Sequence, residues 1–312
     1  EVQMNSEQLF RVENGSKMFQ KNKLAEGLYT LPFDQFSRQA YVSDIIELIR
    51  TLNQDKKLTI LDIGGYKGKT REFQSNDQVT VADLFDVEEP GYIKIEPEKL
   101  PFLDDDYDVS VSFDTFEHVP RNLRLNFLKE AVRVSKSFHI LAAPVDNDLR
   151  DVNNAEIRAN VVYERMKGEE HRWLKEHIDF LIPTRKEIEE SFDELGLYYA
   201  NIQTNEISLW LQLQQFFFCA EIHSECFQQV EYINRFYNEH IKTLEANIDQ
   251  KVAYRSIYCL TDNEELFDTF VTSFDSLKKG IYSPSNYDNQ TQKLLELNQL
   301  VHEGYMLLSK SE

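Results

Sequence analysis

Hydrophobic positions recur along this chain in two rhythms. In "FSRQAYVSDIIELIRTLN" (36–53), Ala40, Ile45, Ile46, Leu48 and Ile49 form a broad helical stripe. Short β-rich runs then alternate with helical stretches. "LTILDIG" (58–64), "VTVADL" (79–84), "YIKIE" (92–96) and "YDVSVSFD" (107–114) read as four strands. "RLNFLKEAVRVS" (124–135) reads as an amphipathic helix and "FHILAAP" (138–144) as a fifth strand. Strands alternating with helices predict an α/β domain, a parallel sheet covered on both faces.

Beyond Pro144 the rhythm breaks. Residues 145–182 are polar, read as loop-rich, and carry scattered His, Trp and Tyr. "PTRKEIEESFDELGL" (183–197) restores a helix, with Thr184 and Glu187 at capping-box spacing and Gly196 as its stop. "YYANIQT" (198–204) reads as a strand, 206–250 as helical, "VAYRSIYCL" (252–260) as one more strand, and 263–279 and 288–309 as helices. In the last of these, Leu294, Leu297, Val301 and Leu308 fall near heptad spacing, over too short a run for a coiled coil. Residues 1–28 are polar and weakly patterned, and no internal repeat is evident.

Composition narrows the picture. The 312 residues, 41% hydrophobic and 12% aromatic, suffice for a sizeable core. A net charge of -20 repels phosphate backbones, so no nucleic-acid partner is expected. The three cysteines, Cys219, Cys226 and Cys259, have no CxxC spacing, which speaks against a zinc knuckle or disulfide framework and for a reducing, cytoplasmic location. No run approaches the roughly 18 apolar residues of a membrane span, and no secretory leader is expected.

The chemistry starts at "LTILDIGGYKGKT" (58–70). A phosphate-binding P-loop ending in Gly68-Lys69-Thr70 would need glycine where Ile63 stands, and so would the dinucleotide fingerprint built on Gly65 and Gly68. A third pattern fits better: a strand, Asp62, Gly64, then Gly68 at the helix entry. It resembles motif I of class I S-adenosylmethionine-dependent methyltransferases of the type 11-like group, departing at Tyr66, where the family has glycine, and offering Gly65 one place earlier. Asp83 follows Asp62 at the end of the second strand, and "IEPEKLPFLDDDYDVSVSFDTFEHVPR" (95–121) resembles the family's order of acidic residue, LPF, fourth strand and Glu-His. The resemblance covers about residues 58–145. It implies a Rossmann-like, seven-stranded, mostly parallel sheet whose antiparallel last strand is 252–260, beside 198–204. It further implies S-adenosylmethionine as cofactor. Asp62, Gly64, Gly65 and Gly68 would form its loop, with Asp83 at the ribose and Leu84 beside it. Glu96 and the backbone at Pro97 would meet the adenine, and Phe113 and Asp114 would face the methionine end. Arg38, before the first strand, is the candidate for the cofactor's carboxylate, with Tyr29 and Tyr41 nearby in sequence.

A methyl acceptor must be held in line, and a hydroxyl acceptor also needs a base. His118, next to Glu117, is expected at the right sheet edge, either as a base or as a loop-ordering residue. "GEEHRWLKEHIDFLIP" (168–183) supplies His171, Trp173, Glu176 and His177; read as a helix, it puts His171 and Lys175 on one face and His177 off it. Similar stretches occur in methyltransferases of bacterial surface-polysaccharide gene clusters. The expected base is therefore His171 or His177, with Glu176 and His118 as further candidates, and the expected acceptor a sugar or glycan-like oxygen. N-methylation of a small molecule or protein, and a non-catalytic scaffold, remain open. No H-x-x-x-H or H-E-x-x-H spacing is present, so no metal is expected. The expected organisation is an N-terminal lid (1–45), a core (46–204) with an insert at 145–182, a helical insertion (205–250), a last core strand (251–262) and C-terminal helices (263–312). Phe216, Phe217, Phe218 and Trp210 read as core or dimer interface, and a homodimer through 205–250 is left open.

Overall fold

The computed structural model describes residues 24–96, 98–248 and 251–310. Seven strands form one sheet: β1 (Thr59–Ile63), β2 (Gln78–Asp83), β3 (Tyr92–Lys94), β4 (Tyr107–Phe113), β5 (Ser135–Pro144), β6 (Tyr198–Glu206) and β7 (Ala253–Thr261), in the order β3-β2-β1-β4-β5-β7-β6. The first five run parallel, and β7 runs antiparallel between β5 and β6. The alternation predicts the parallel part, and the Rossmann-like sheet with its antiparallel last strand is the one the resemblance implies. The order reverses between β1 and β4, and the crevice outside the carboxyl ends of those strands is where such sheets bind ligands.

Helices cover both faces. On one, α1 (Phe33–Leu52) lays Ile45, Ile46 and Ile49 over Ile60, Val109, Phe138 and Ile140. On the other, α3 (Arg124–Arg133; α2 is the short Thr70–Phe73 turn) brings Leu128 and Val132 onto the sheet. Every residue of β7 is buried, as a strand roofed on both faces should be.

Residues 145–182 are not loop-rich: they form α4 (Asp151–Lys167) and α5 (Arg172–Phe180). Their polar character misleads because each buries only a narrow stripe, Val152, Ala155 and Ala159 on α4 and Leu174 and His177 on α5. α6 (Arg185–Glu194) carries the reciprocal Thr184–Glu187 capping box and stops before Gly196, whose φ of +67° suits glycine. Between β6 and β7 lie α7 (Ile207–Ala220) and α8 (Phe227–Leu244), and α9 (Glu264–Ile281) and α10 (Gln290–Leu308) follow β7.

The aromatic run on α7 belongs to this chain's own core. Phe216 and Phe218 are buried, and the Phe216 ring meets the face of α10 at Gly304, where an added Cβ would lie 2.4 Å from it. α8 reaches back to α1: Asn238 Nδ2 donates to the carbonyls of Tyr29 and Leu31, and Phe33 N–H donates to Asn234. No helix of the described residues is long and apolar enough to cross a membrane, and all three cysteines are free.

Candidate functional site

A cavity of about 1050 Å³ opens over the carboxyl ends of β1, β2 and β4, bounded by α1, the β1–α2 turn, α5 and α7. Its first wall is the turn after β1. Gly64 has a φ of +78°, and a Cβ there would sit 2.3 Å from Thr115 Oγ1; a Cβ on Gly65 would sit 2.3 Å from the Asp62 carboxyl. Glycine is therefore demanded by the protein's own packing, whatever ligand approaches. Tyr66, which replaces the family's glycine, does not plug the crevice: its ring turns onto Phe85 and Tyr92, with centroids at 5.0 and 6.2 Å.

Two carboxylates anchor that wall. Asp62 Oδ2 accepts from Thr70 Oγ1 at 2.5 Å, while its buried Oδ1 has no partner among the described residues. Burial pushes its pKa up to about 7, against the Thr70 hydrogen bond. At the tip of β2, Asp83 accepts from Tyr66 N–H at 3.0 Å and from Leu84 N–H at 2.7 Å. One backbone donor per oxygen fixes the carboxylate and leaves each oxygen a free lone pair toward the cavity.

The tip of β4 carries a charge network. Asp114, with φ +44°, turns its carboxylate into a guanidinium pair. Arg255 Nε donates to Oδ1 at 2.8 Å and Nη2 to Oδ2 at 2.6 Å, and Arg38 closes on Oδ2 as well. Burial alone would raise the Asp114 pKa; the two guanidiniums override it and hold the group well below the usual carboxylate range. Arg255 is fully buried near the start of β7 and also donates to Asp34 at 3.1 Å and Asn205 at 2.6 Å. A buried charge needs such complete pairing.

Over the same end sits an imidazole–carboxylate cluster. His118 Nδ1 meets Glu176 at 2.9 Å and its Nε2 meets His177 Nε2 at 3.0 Å. His177 Nδ1 meets Glu156 at 2.8 Å, and Tyr254 O–H donates to the same Glu156 oxygen at 2.7 Å. Glu117 lies beside them, its side chain wholly buried, with Oε1 at 3.7 Å from His177 Nε2. Burial and the nearby Asp114 push the Glu117 pKa up to about 8. Burial would lower His177, yet Glu156 and Glu117 carry it up to about 9; burial and that neighbour push His118 down to about 4.

The cavity thus gathers Arg38, Asp62, Gly64, Gly65, Gly68, Asp83, Leu84, Glu96, Phe113, Asp114, His118, His171, Glu176 and His177. Pro97 lies outside the described residues. Tyr29 and Tyr41 do not line the cavity: Tyr29 packs on Phe36, and the buried Tyr41 donates to Glu245. His171 stands apart from the cluster, as the N-cap of α5 with its ring against Tyr163 and Phe218. Trp210, expected in the core, is buried yet borders the cavity, stacked flat on Tyr254 at 4.0 Å. Sequence reasoning missed Arg255, Asp34 and Glu156. The available signal was an arginine inside "VAYRSIYCL", a strand that had to be buried on both faces and so required partners.

Residues 68–141 match the family model described as a methyltransferase domain. No curated protein matches the chain. The solved YcgJ protein of Bacillus subtilis is similar with a TM-score of 0.39 and 15% identity, over 70% of this chain and 99% of that one. The 1,6-didemethyltoxoflavin-N1-methyltransferase of Burkholderia thailandensis, solved with its named substrate and S-adenosylhomocysteine, gives 0.39 and 10%, over 84% and 93%. Both are likenesses at low identity and carry nothing about the acceptor here.

Proposed function

We propose that this chain, an S-adenosylmethionine-dependent methyltransferase by its methyltransferase-domain match, methylates an oxygen of a sugar or glycan-like acceptor. The observation that carries the reading is the pairing, in one cavity, of a glycine turn with two prepared carboxylates and, across from it, an imidazole–carboxylate cluster. Bound S-adenosylmethionine supplies a methyl group already activated on a sulfonium.

The residues fit that molecule. Asp83 offers one free lone pair per oxygen, suited to two adjacent ribose hydroxyls. Glu96, at the rim, is placed for the adenine amino group, and Leu84 and Phe85 offer an exposed apolar edge to the base. Asp62 Oδ1, buried and unpartnered, can take a donor from the methionine end. Arg38 Nε is likewise buried without a partner, which suits a carboxylate.

On the acceptor side the base is Glu176 rather than His171 or His177. Both ring nitrogens of His177 and of His118 are engaged, and the His171 ring packs on Tyr163 and Phe218 with Nδ1 accepting from Leu174 N–H at 3.4 Å. Glu176 has two oxygens and keeps acceptor capacity beyond His118 and Arg172. Holding the hydroxyl beside it, with water displaced by α5, supplies positioning and proton removal together. Trp173, half-exposed at the rim, packs against His118 and carries the Arg172 guanidinium over its ring at 4.5 Å; its exposed part would meet the C–H side of a sugar ring.

The test is a panel of sugars and nucleotide sugars scored by S-adenosylhomocysteine release, with NMR of the product. An O-methylated sugar with turnover lowered about 100-fold or more in Glu176→Gln is expected, from the usual weight of a general base. Methylation only on nitrogen, or unchanged turnover in that variant, refutes the assignment.

A further inference from the structure

The geometry points to a divalent-cation site where the Phe116–His118 turn meets α5, held by Glu117, His118 and His177 and suited to a first-row transition ion. One potential ligand atom from each of the three lies within 4.8 Å of the others. The Nε2 atoms of His118 and His177 converge at 3.0 Å. Two imidazole nitrogens at about 2.1 Å from one ion stand roughly 3.0 Å apart at 90° and about 3.4 Å apart at a tetrahedral centre, so the pair is within a few tenths of an ångström of a ligating spacing.

The outer nitrogens explain the convergence. His118 Nδ1 is held by Glu176 at 2.9 Å and His177 Nδ1 by Glu156 at 2.8 Å. A carboxylate on Nδ1 keeps the proton there and aims the Nε2 lone pair inward, the backing that metal-ligating histidines carry. Two lone pairs meeting head-on need a proton or a cation between them. Glu117 decides between the two. Its carboxylate is wholly buried, and neither oxygen has a hydrogen-bond partner among the described residues. A shared proton would serve the histidines and leave Glu117, neutral or ionised, without a hydrogen-bond partner, at the cost of an unsatisfied buried polar group. An ion serves all three.

Two imidazoles and one carboxylate select manganese, iron(II), cobalt or zinc over the all-oxygen sites of magnesium and calcium. His118 and His177 border the cavity, so such an ion would turn an open position toward an acceptor oxygen. That role rests on the methyl-transfer reading; the site itself does not. In the step it would assist, the acceptor O–H gives its proton to Glu176. The oxygen lone pair forms the new O–CH3 bond as the C–S bond breaks, and that bonding pair stays on sulfur as a neutral thioether. No oxidant or reductant is consumed.

The test uses the full chain, stripped with a chelator that is then removed. Cobalt(II) is titrated and read by its visible ligand-field bands, and manganese(II) by calorimetry. One ion per chain is expected, bound about tenfold or more weakly in Glu117→Gln, His177→Gln and the backing variant Glu176→Gln. S-adenosylmethionine calorimetry on the same samples reports folding and the cofactor crevice independently. If the parent binds cobalt no more tightly than a Glu117→Gln/His177→Gln double variant while cofactor binding is intact, the site is overturned. If cobalt binds as expected and the cofactor does not, the site stands and the methyl-transfer reading falls.

Discussion

Replacing Asp83 by alanine isolates the cofactor reading at one carboxylate. Each oxygen already accepts one backbone N–H, from Leu84 at 2.7 Å and Tyr66 at 3.0 Å. Each therefore has one lone pair for one ribose hydroxyl. Two hydrogen bonds to a charged acceptor at about 1.5–3 kcal/mol each give roughly 3–6 kcal/mol, or about 10²–10⁴-fold in Kd. Alanine also strips two N–H groups of their acceptor, at about 1–3 kcal/mol each where water cannot replace it. Calorimetry with S-adenosylhomocysteine gives the affinity and a melting curve gives the fold. A 2′-deoxy analogue then separates the two effects. It should lose about tenfold or more on the parent and little further on the variant, because the partner is already gone. A folded variant that binds within threefold of the parent, or an analogue that loses the same factor on both proteins, refutes the reasoning.

Three further perturbations test the framework around the site. Arg255→Met leaves Asp114 and Asp34 without their buried guanidinium and should cost about 3–5 kcal/mol in denaturant unfolding; Arg255→Lys should not restore it, because one ammonium cannot reproduce the fork onto Asp114, Asp34 and Asn205. Gly304→Ala drives a methyl into the Phe216 ring and should cost about 1–3 kcal/mol, recovered in part by Phe216→Leu in the same chain. Burial raises the Glu245 pKa to about 7, although Tyr237, Asn205 N–H and Tyr41 hydrogen-bond to it. With the folded value above the unfolded one, the folded state holds the extra proton, so this contribution is full below about pH 4.5 and is lost as pH rises through 7. Melting temperatures should fall less steeply between pH 5 and 7.5 in Glu245→Gln than in the parent, and parallel curves would count against the shift.

The sheet was legible because its central strands are short apolar runs bounded by turn residues, and the late pair β6 and β7 is rich in β-branched and aromatic residues. The wall proposed to hold the cofactor could be located for a related reason. Its parts lie at fixed positions just past strand ends, Gly64 after β1, Asp83 ending β2 and Asp114 after β4, so knowing the strands places the residues. The imidazole–carboxylate cluster has no such ruler. Glu117 and His118 follow β4, Glu156 comes from α4 and His177 from α5, and α4 and α5 look like polar loop because their inward stripes are narrow and include Glu156, Asn160 and His177. A motif scan for paired histidines tests spacing within one helix, and here the two imidazoles that touch are 59 positions apart. Arg255 shows the same limit from the other direction: its own strand was correctly read, but its partners Asp34, Asp114 and Asn205 sit on three other segments. Local pattern reports where a backbone runs. Charge pairing across elements reports what those elements are held together for, and in this chain both buried charge networks, one around Asp114 and one around His177, border the same cavity.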